Sequence, residues 1–114
     1  MQTEPPISWA DFTKIEMRVG TITHAEIFKE ARKPAYKLTI DFGAYGTRRS
    51  SAQITKLYNI EDLPGKQVIA VLNFPRKQIA NFFSECLVLG TVGDADTITL
   101  LTSEAPVPNG LRIG

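Results

Sequence analysis

The chain has 114 residues, 43% hydrophobic and 22% charged, a make-up that fits a folded globular domain and excludes an intrinsically disordered segment. At this length a domain buries about two thirds of the surface its unfolded form exposes, so one domain over residues 1–114 needs no metal or disulfide staple. The net charge of +1 conceals a segregation: nine Lys or Arg against three Asp or Glu between Arg32 and Lys77, and four against nine elsewhere.

Met1 to Pro6 has neither a cationic start nor an apolar block, and no stretch approaches the roughly 18 apolar residues that span a bilayer. A soluble, unexported, cytoplasmic chain is expected. Ser8-Trp9-Ala10-Asp11 has the spacing of a helix start, with Ser8 able to cap and Asp11 in the electropositive first turn, so a short N-terminal helix is predicted. Met17 to Phe28, rich in Val, Ile and Thr, is predicted as a long strand bent at Gly20, and Lys29 to Pro34 follow as a charged loop.

Tyr36, Leu38, Ile40 and Phe42 alternate with Lys37, Thr39 and Asp41, the pattern of a strand buried on one face. Gly43 to Gly46 supply a turn, and Thr47 to Ile54 pair back as an unusually polar antiparallel strand. Within it Arg48 and Arg49 point to opposite faces, so only one of them meets a ligand on a given surface.

Thr55 to Leu63 holds one or two helical turns ahead of Pro64-Gly65. Gln67 to Phe74 is the most apolar stretch and is predicted as the central strand. Pro75, which lacks an amide donor and fixes its own φ, ends it and turns Arg76, Lys77, Gln78 and Asn81 toward solvent. Ile79, Phe82 and Phe83 have i, i+3, i+4 spacing, which suits either the apolar face of a helical turn or an aromatic offered to a base. Cys86 to Val92 and Thr97 to Thr102 are the last strands, joined by a turn at Gly93 to Asp96. Cys86 is the sole cysteine, so it forms no intrachain disulfide and packs as a small hydrophobe.

Five or six strands with short helical interruptions leave the fewest open edges when closed into a small barrel. The fold class is therefore all-β, a five-stranded, partly open barrel of the OB type with a short N-terminal helix; a two-layer sandwich is the alternative.

Little here points to catalysis. His24 has no sequence-adjacent nucleophile or metal partner, Asp94 and Asp96 suit a turn, and no glycine-rich phosphate loop opens a helix. No catalytic residue, metal or cofactor is expected, and the chain reads as a non-enzyme. Binding has more support. Arg32-Lys33, Arg48-Arg49, Lys56 and Arg76-Lys77 lie at strand ends or loops that a barrel brings to one side, where they would meet phosphates. Ser50, Gln53, Asn73, Asn81 and Ser84 would then reach sugars or base edges. The simpler reading leaves these charges scattered and solvated.

Four blocks in order carry a resemblance over nearly the whole chain: Asp11-Phe-Thr-Lys-Ile-Glu-Met-Arg-Val-Gly20, Glu30-Ala-Arg-Lys-Pro-Ala-Tyr-Lys-Leu38, Ser50-Ser-Ala-Gln-Ile-Thr-Lys-Leu57 and Asn73-Phe-Pro-Arg-Lys-Gln-Ile-Ala-Asn-Phe82. They resemble the CsaA family of bacteria, which is similar to the tRNA-binding OB domains appended to methionyl-tRNA synthetase and to the phenylalanyl-tRNA synthetase beta chain. The resemblance implies a homodimer that binds tRNA by shape and backbone, and a chaperone role in protein export with unfolded or pre-export polypeptides and secretion machinery as partners. It places the tRNA site on Asn73, Arg76, Lys77, Asn81 and Ser84, with Lys33, Arg49 and Gln53 next. Phe82 and Phe83 are candidates for base stacking or peptide contact.

The wider tRNA-binding pattern has glycines leading to that serine and a methionine shortly after it, where this chain has Ala80-Asn81-Phe82-Phe83 and Cys86. The departure suits a more apolar groove, and hence the second reading: a peptide-binding chaperone with an apolar dimer groove and only incidental RNA binding. For the dimer, Ile7, Trp9 and Phe12 at one end and Val107, Leu111 and Ile113 at the other add apolar surface beyond a minimal barrel.

Overall fold

A computed structural model describes residues 1–114. The N-terminal helix forms over Trp9–Thr13 (α1), and Ser8 starts it through a reciprocal cap. Its Oγ accepts from the Asp11 amide at 3.0 Å while Asp11 Oδ2 accepts from the Ser8 amide at 3.2 Å.

The strands are Met17–Ile27 (β1), Tyr36–Asp41 (β2), Thr47–Ala52 (β3), Gln67–Val71 (β4), Lys77–Ile79 (β5), Phe82–Ser84 (β6), Leu87–Val88 (β7), Gly90–Val92 (β8) and Ile98–Leu100 (β9). Five of them form one antiparallel sheet in the order β3-β2-β1-β4-β7. The central strand is thus β1, and the expectation that Gln67 to Phe74 lies at the centre is corrected. β1 is the longest strand and is shared: Met17–Thr21 pairs with β4 and Thr21–Ile27 with β2.

The two ends of that sheet meet. The Glu85 amide donates to the Arg49 carbonyl at 2.7 Å, and Ser50 Oγ donates to the Cys86 carbonyl at 2.8 Å, joining β3 to the segment between β6 and β7. The result is a nearly closed, five-stranded barrel of the OB kind with one short helix. Ile22, Leu38, Ile40, Phe42, Leu63 and Val68 fill it, each fully buried. Alternation along β2 turns Leu38 and Ile40 inward, and each fully buried side chain contributes about 1.5–3 kcal/mol by leaving water.

Three local expectations change. The irregularity in β1 is a bulge between Ile22 and His24, two residues past Gly20. Gly20 serves packing instead: a Cβ there would lie 2.6 Å from the Phe42 ring and 2.7 Å from Ile40. Cys86 to Val92 is not one strand, because the chain leaves the main sheet at Leu89; its amide donates to the Ile69 carbonyl, and its own carbonyl accepts from Leu101. Between Thr55 and Leu63 only Ile60–Asp62 forms a helical turn, of the 3-10 type.

The C-terminal segment returns along β1. Val19 exchanges backbone hydrogen bonds with Gly110 and Leu111, and the Ile113 amide donates to the Met17 carbonyl at 2.8 Å. Arg112 reaches the carbonyls of Thr13 and Ile15, which ties the two chain ends together. Trp9 (73% exposed) and Ile7 in the N-terminal segment and Leu111 in the C-terminal one remain open to solvent.

Candidate nucleic-acid interface

The outer face of the barrel is set by the pleat. Lys37 and Ser51 face each other across β2 and β3, as do Thr39 and Arg49, and all four lie opposite the buried residues of their strands. Arg48 points the other way, donating from Nη1 to the Leu72 carbonyl at 2.8 Å, and so fastens the barrel.

Onto this face folds the hairpin β5–β6. Residues 79–83 are not a helical turn, despite their spacing: Ile79 pairs with Phe82 across a tight turn in which Ala80 takes a left-handed φ of 53°. Ile79 and Phe82 pack with Phe28, Ala31 and Ala35 in a small second core. Phe82 is only 3% exposed, its centroid 5.3 Å from that of Phe28. The Arg49 guanidinium covers its ring at 4.6 Å and the Lys37 ammonium stands 5.5 Å away, so two cations are held over buried aromatic faces. Phe83, on the opposite face, is 44% exposed with the Arg76 guanidinium 4.8 Å from its centroid.

Between hairpin and barrel runs a groove of about 510 Å³. Lys33, Gln53 and Lys77 line it from three separate parts of the chain, joined by Arg32, Ser51 and Gln78. No acidic side chain lines it, and Arg32, Lys33 and Lys77 have no carboxylate within ion-pair distance, unlike Lys37 (Glu30, 3.8 Å) and Arg49 (Glu26, 3.1 Å). Uncompensated cations around a concave wall with amide and hydroxyl groups are the chemistry of phosphate and sugar contact.

The remaining candidates lie elsewhere. Asn81 is exposed at the hairpin tip. Ser84 shares with Lys77 a second, apolar cleft of about 300 Å³ walled by Phe74, Pro75, Cys86 and Leu87. Asn73 is occupied at both ends of its amide: Oδ1 accepts from the Glu16 amide at 2.9 Å and Nδ2 donates to the Lys14 carbonyl at 2.6 Å, which anchors the segment after α1. Arg32 takes its place in the groove beside Lys33, as expected of that cation pair, and Gln78 with the exposed end of the hairpin, whereas nothing in the motif pattern marks Ser51. The alternation of β3 identifies Ser51 in retrospect, since it is two residues from both Arg49 and Gln53.

Burial raises the Cys86 thiol from 9.0 to about 11, against a smaller opposing pull from the Ser50 hydroxyl. The thiol is thus protonated and unreactive at neutral pH. Because the fold raises this pKa, the stability it carries is complete below pH 9 and is lost as pH climbs through 11. In urea titrations the stability advantage of the native chain over Cys86→Ala is expected to narrow by roughly 2–3 kcal/mol across that window.

Comparison with known proteins shows the family. The family model described as "Putative tRNA binding domain" matches residues 17–112. The structure of the chaperone CsaA from Bacillus anthracis str. Ames superposes with a TM-score of 0.92 at 53% identity, over 96% of this chain and 100% of that one. The CsaA chaperone protein from Picrophilus torridus gives 0.88 at 52% identity, over 96% and 100%. Methionine--tRNA ligase from Methanococcoides burtonii is 36% identical over 107 residues, 94% of this chain, which spans only 16% of that enzyme's length. The chain belongs to the tRNA-binding domain family and, within it, to the CsaA family.

Proposed function

We propose that this protein is a non-enzymatic, cytoplasmic tRNA-binding homodimer that takes tRNA backbone and exposed bases along the groove between the β5–β6 hairpin and the barrel. The observation that carries the reading is the convergence of Lys33, Gln53 and Lys77 on one concave wall free of acidic side chains. Lys33 and Lys77 supply point charges to phosphates, with Arg32 beside them. Gln53 and Gln78 supply donors and acceptors for sugars and base edges. Arg49, held over Phe82 on the outer face of the barrel, and Arg76, Asn81 and Ser84 around the hairpin extend the contact. The dimer draws support from Ile7 and Trp9 in the N-terminal segment and Leu111 in the C-terminal one, each exposed in the two chain ends that Arg112 ties to one another.

Filter binding of tRNA across a salt series tests this reading. Lys77→Ala is expected to weaken binding to all tRNA species alike and to reduce the slope of log K against log salt by about one. An unchanged slope removes Lys77 from the site.

A second reading is favoured by one observation: Phe74 and Leu87, 55% and 47% exposed, wall the apolar cleft beside the groove. It is a chaperone that holds unfolded or pre-export polypeptides by their apolar side chains, in contact with secretion machinery. Such binding is expected to persist at salt that abolishes tRNA binding, with a negative heat-capacity change.

A further inference from the structure

The cationic groove does not stop at Gln53. Lys33 and Gln53 also wall a second, polar concavity of about 210 Å³, completed by Pro34, Thr55, Lys56 and Asp96. With Ile54 buried between them, Gln53 and Thr55 are both turned outward. Two ammonium groups, a hydroxyl and a carboxamide therefore converge on one hollow. Against them stands a single carboxylate, Asp96, which is ion-paired with neither lysine.

The far wall is held in an unusual way. The Lys56 ammonium donates to the Ala95 carbonyl, which steadies the side chain and leaves two of its three donors free. Ala95 and Asp96 adopt φ values of 55° and 60°, left-handed conformations that cost non-glycine residues energy and that cluster at ligand sites. Here they present the Ala95 carbonyl to Lys56 and set Asp96 at the rim of the hollow.

We propose that this hollow is a second phosphate subsite for the same RNA, continuous with the first through Lys33 and Gln53, with Lys56 as its own cation and Asp96 weakening it by like-charge repulsion. The proposal rests on the tRNA reading of the groove. Two cations against one carboxylate leave a net attraction for a phosphate, and the shared lysine lets one strand cross from one hollow to the next. Asp96 then caps the affinity, which favours release.

The test is tRNA filter binding over a salt series with Lys56→Gln, Lys56→Arg and Asp96→Asn, beside Lys77→Ala and, as a control outside both hollows, Lys66→Ala. Lys56→Gln keeps a donor for the Ala95 carbonyl but removes the charge, and is expected to lower the salt slope by about one; Lys56→Arg is expected to retain it. Asp96→Asn is expected to raise affinity about twofold to fivefold at low salt. If Lys77→Ala lowers the slope while Lys56→Gln does not, the subsite is overturned and the tRNA reading stands. Where Lys66→Ala lowers it as much as Lys56→Gln, the contact is not localised and the subsite is again overturned. If Lys77→Ala has no effect either, Lys77 is not at the site, the groove is not the tRNA path, and the subsite continuous with it falls as well.

Discussion

Replacing Phe82 with alanine is expected to lower the unfolding free energy by about 3–5 kcal/mol, whereas the neighbouring Phe83→Ala change costs less than about 1 kcal/mol. The two rings differ only in which side of a short hairpin they occupy. Phe82 fills the small core with Phe28 and Ala35 and lies beneath the Arg49 guanidinium; Phe83 faces outward against Arg76. Strands of three residues do not hold a hairpin in water unaided, so the packing of Phe82 is what keeps β5 and β6 against the barrel. Because Lys77 is carried by β5, Phe82→Ala is also expected to weaken tRNA binding under conditions where the barrel stays folded. Urea titration gives the first quantity and filter binding the second. Equal losses for the two phenylalanines would contradict this account of the hairpin.

The other large effect lies where β1 passes over the core. Phe42→Ala empties a fully buried ring site and is expected to cost about 3–5 kcal/mol. Gly20→Ala places a methyl 2.6 Å from that ring, between fully buried neighbours, and is expected to cost about 1–3 kcal/mol by overpacking. The double variant should be less destabilised than the two costs together, since the added methyl then enters the space the ring has left. Additive costs in a double-mutant cycle would mean that Gly20 and Phe42 do not share that space.

The barrel was legible because its signals are local. Tyr36 to Phe42 alternates without a break, Val, Ile and Thr run the length of β1, and Ser8 with Asp11 marks the helix start. What escaped the sequence was tertiary. The Gln67–Val71 strand is the most apolar, yet it sits beside the centre, because β1, though half polar, is long enough to pair on both sides along its length. The hairpin escaped because its turn holds alanine at φ 53° where glycine or asparagine would have signalled it, leaving the helical spacing of Ile79, Phe82 and Phe83 as the louder pattern.

The site divides the same way. The types of residue that bind a polyanion can be read from the chain, and Arg48 and Arg49 separate by strand parity alone. Which cations share a wall depends on how the loop after β1, the outer face of β3 and the hairpin meet, and no spacing encodes that. Asn73 shows the difference most plainly. Its place after an apolar strand suggests a polar contact with a ligand, and its amide instead closes two backbone groups of the segment behind α1.

Lysine modification of the native protein, with and without saturating tRNA, reads the groove residue by residue. Lys33 and Lys77 are expected to be protected by tRNA while Lys14 and Lys66, which lie outside the groove, react at unchanged rates. Protection of Lys14 and Lys66 with Lys33 and Lys77 left reactive would contradict the assignment of this groove to tRNA.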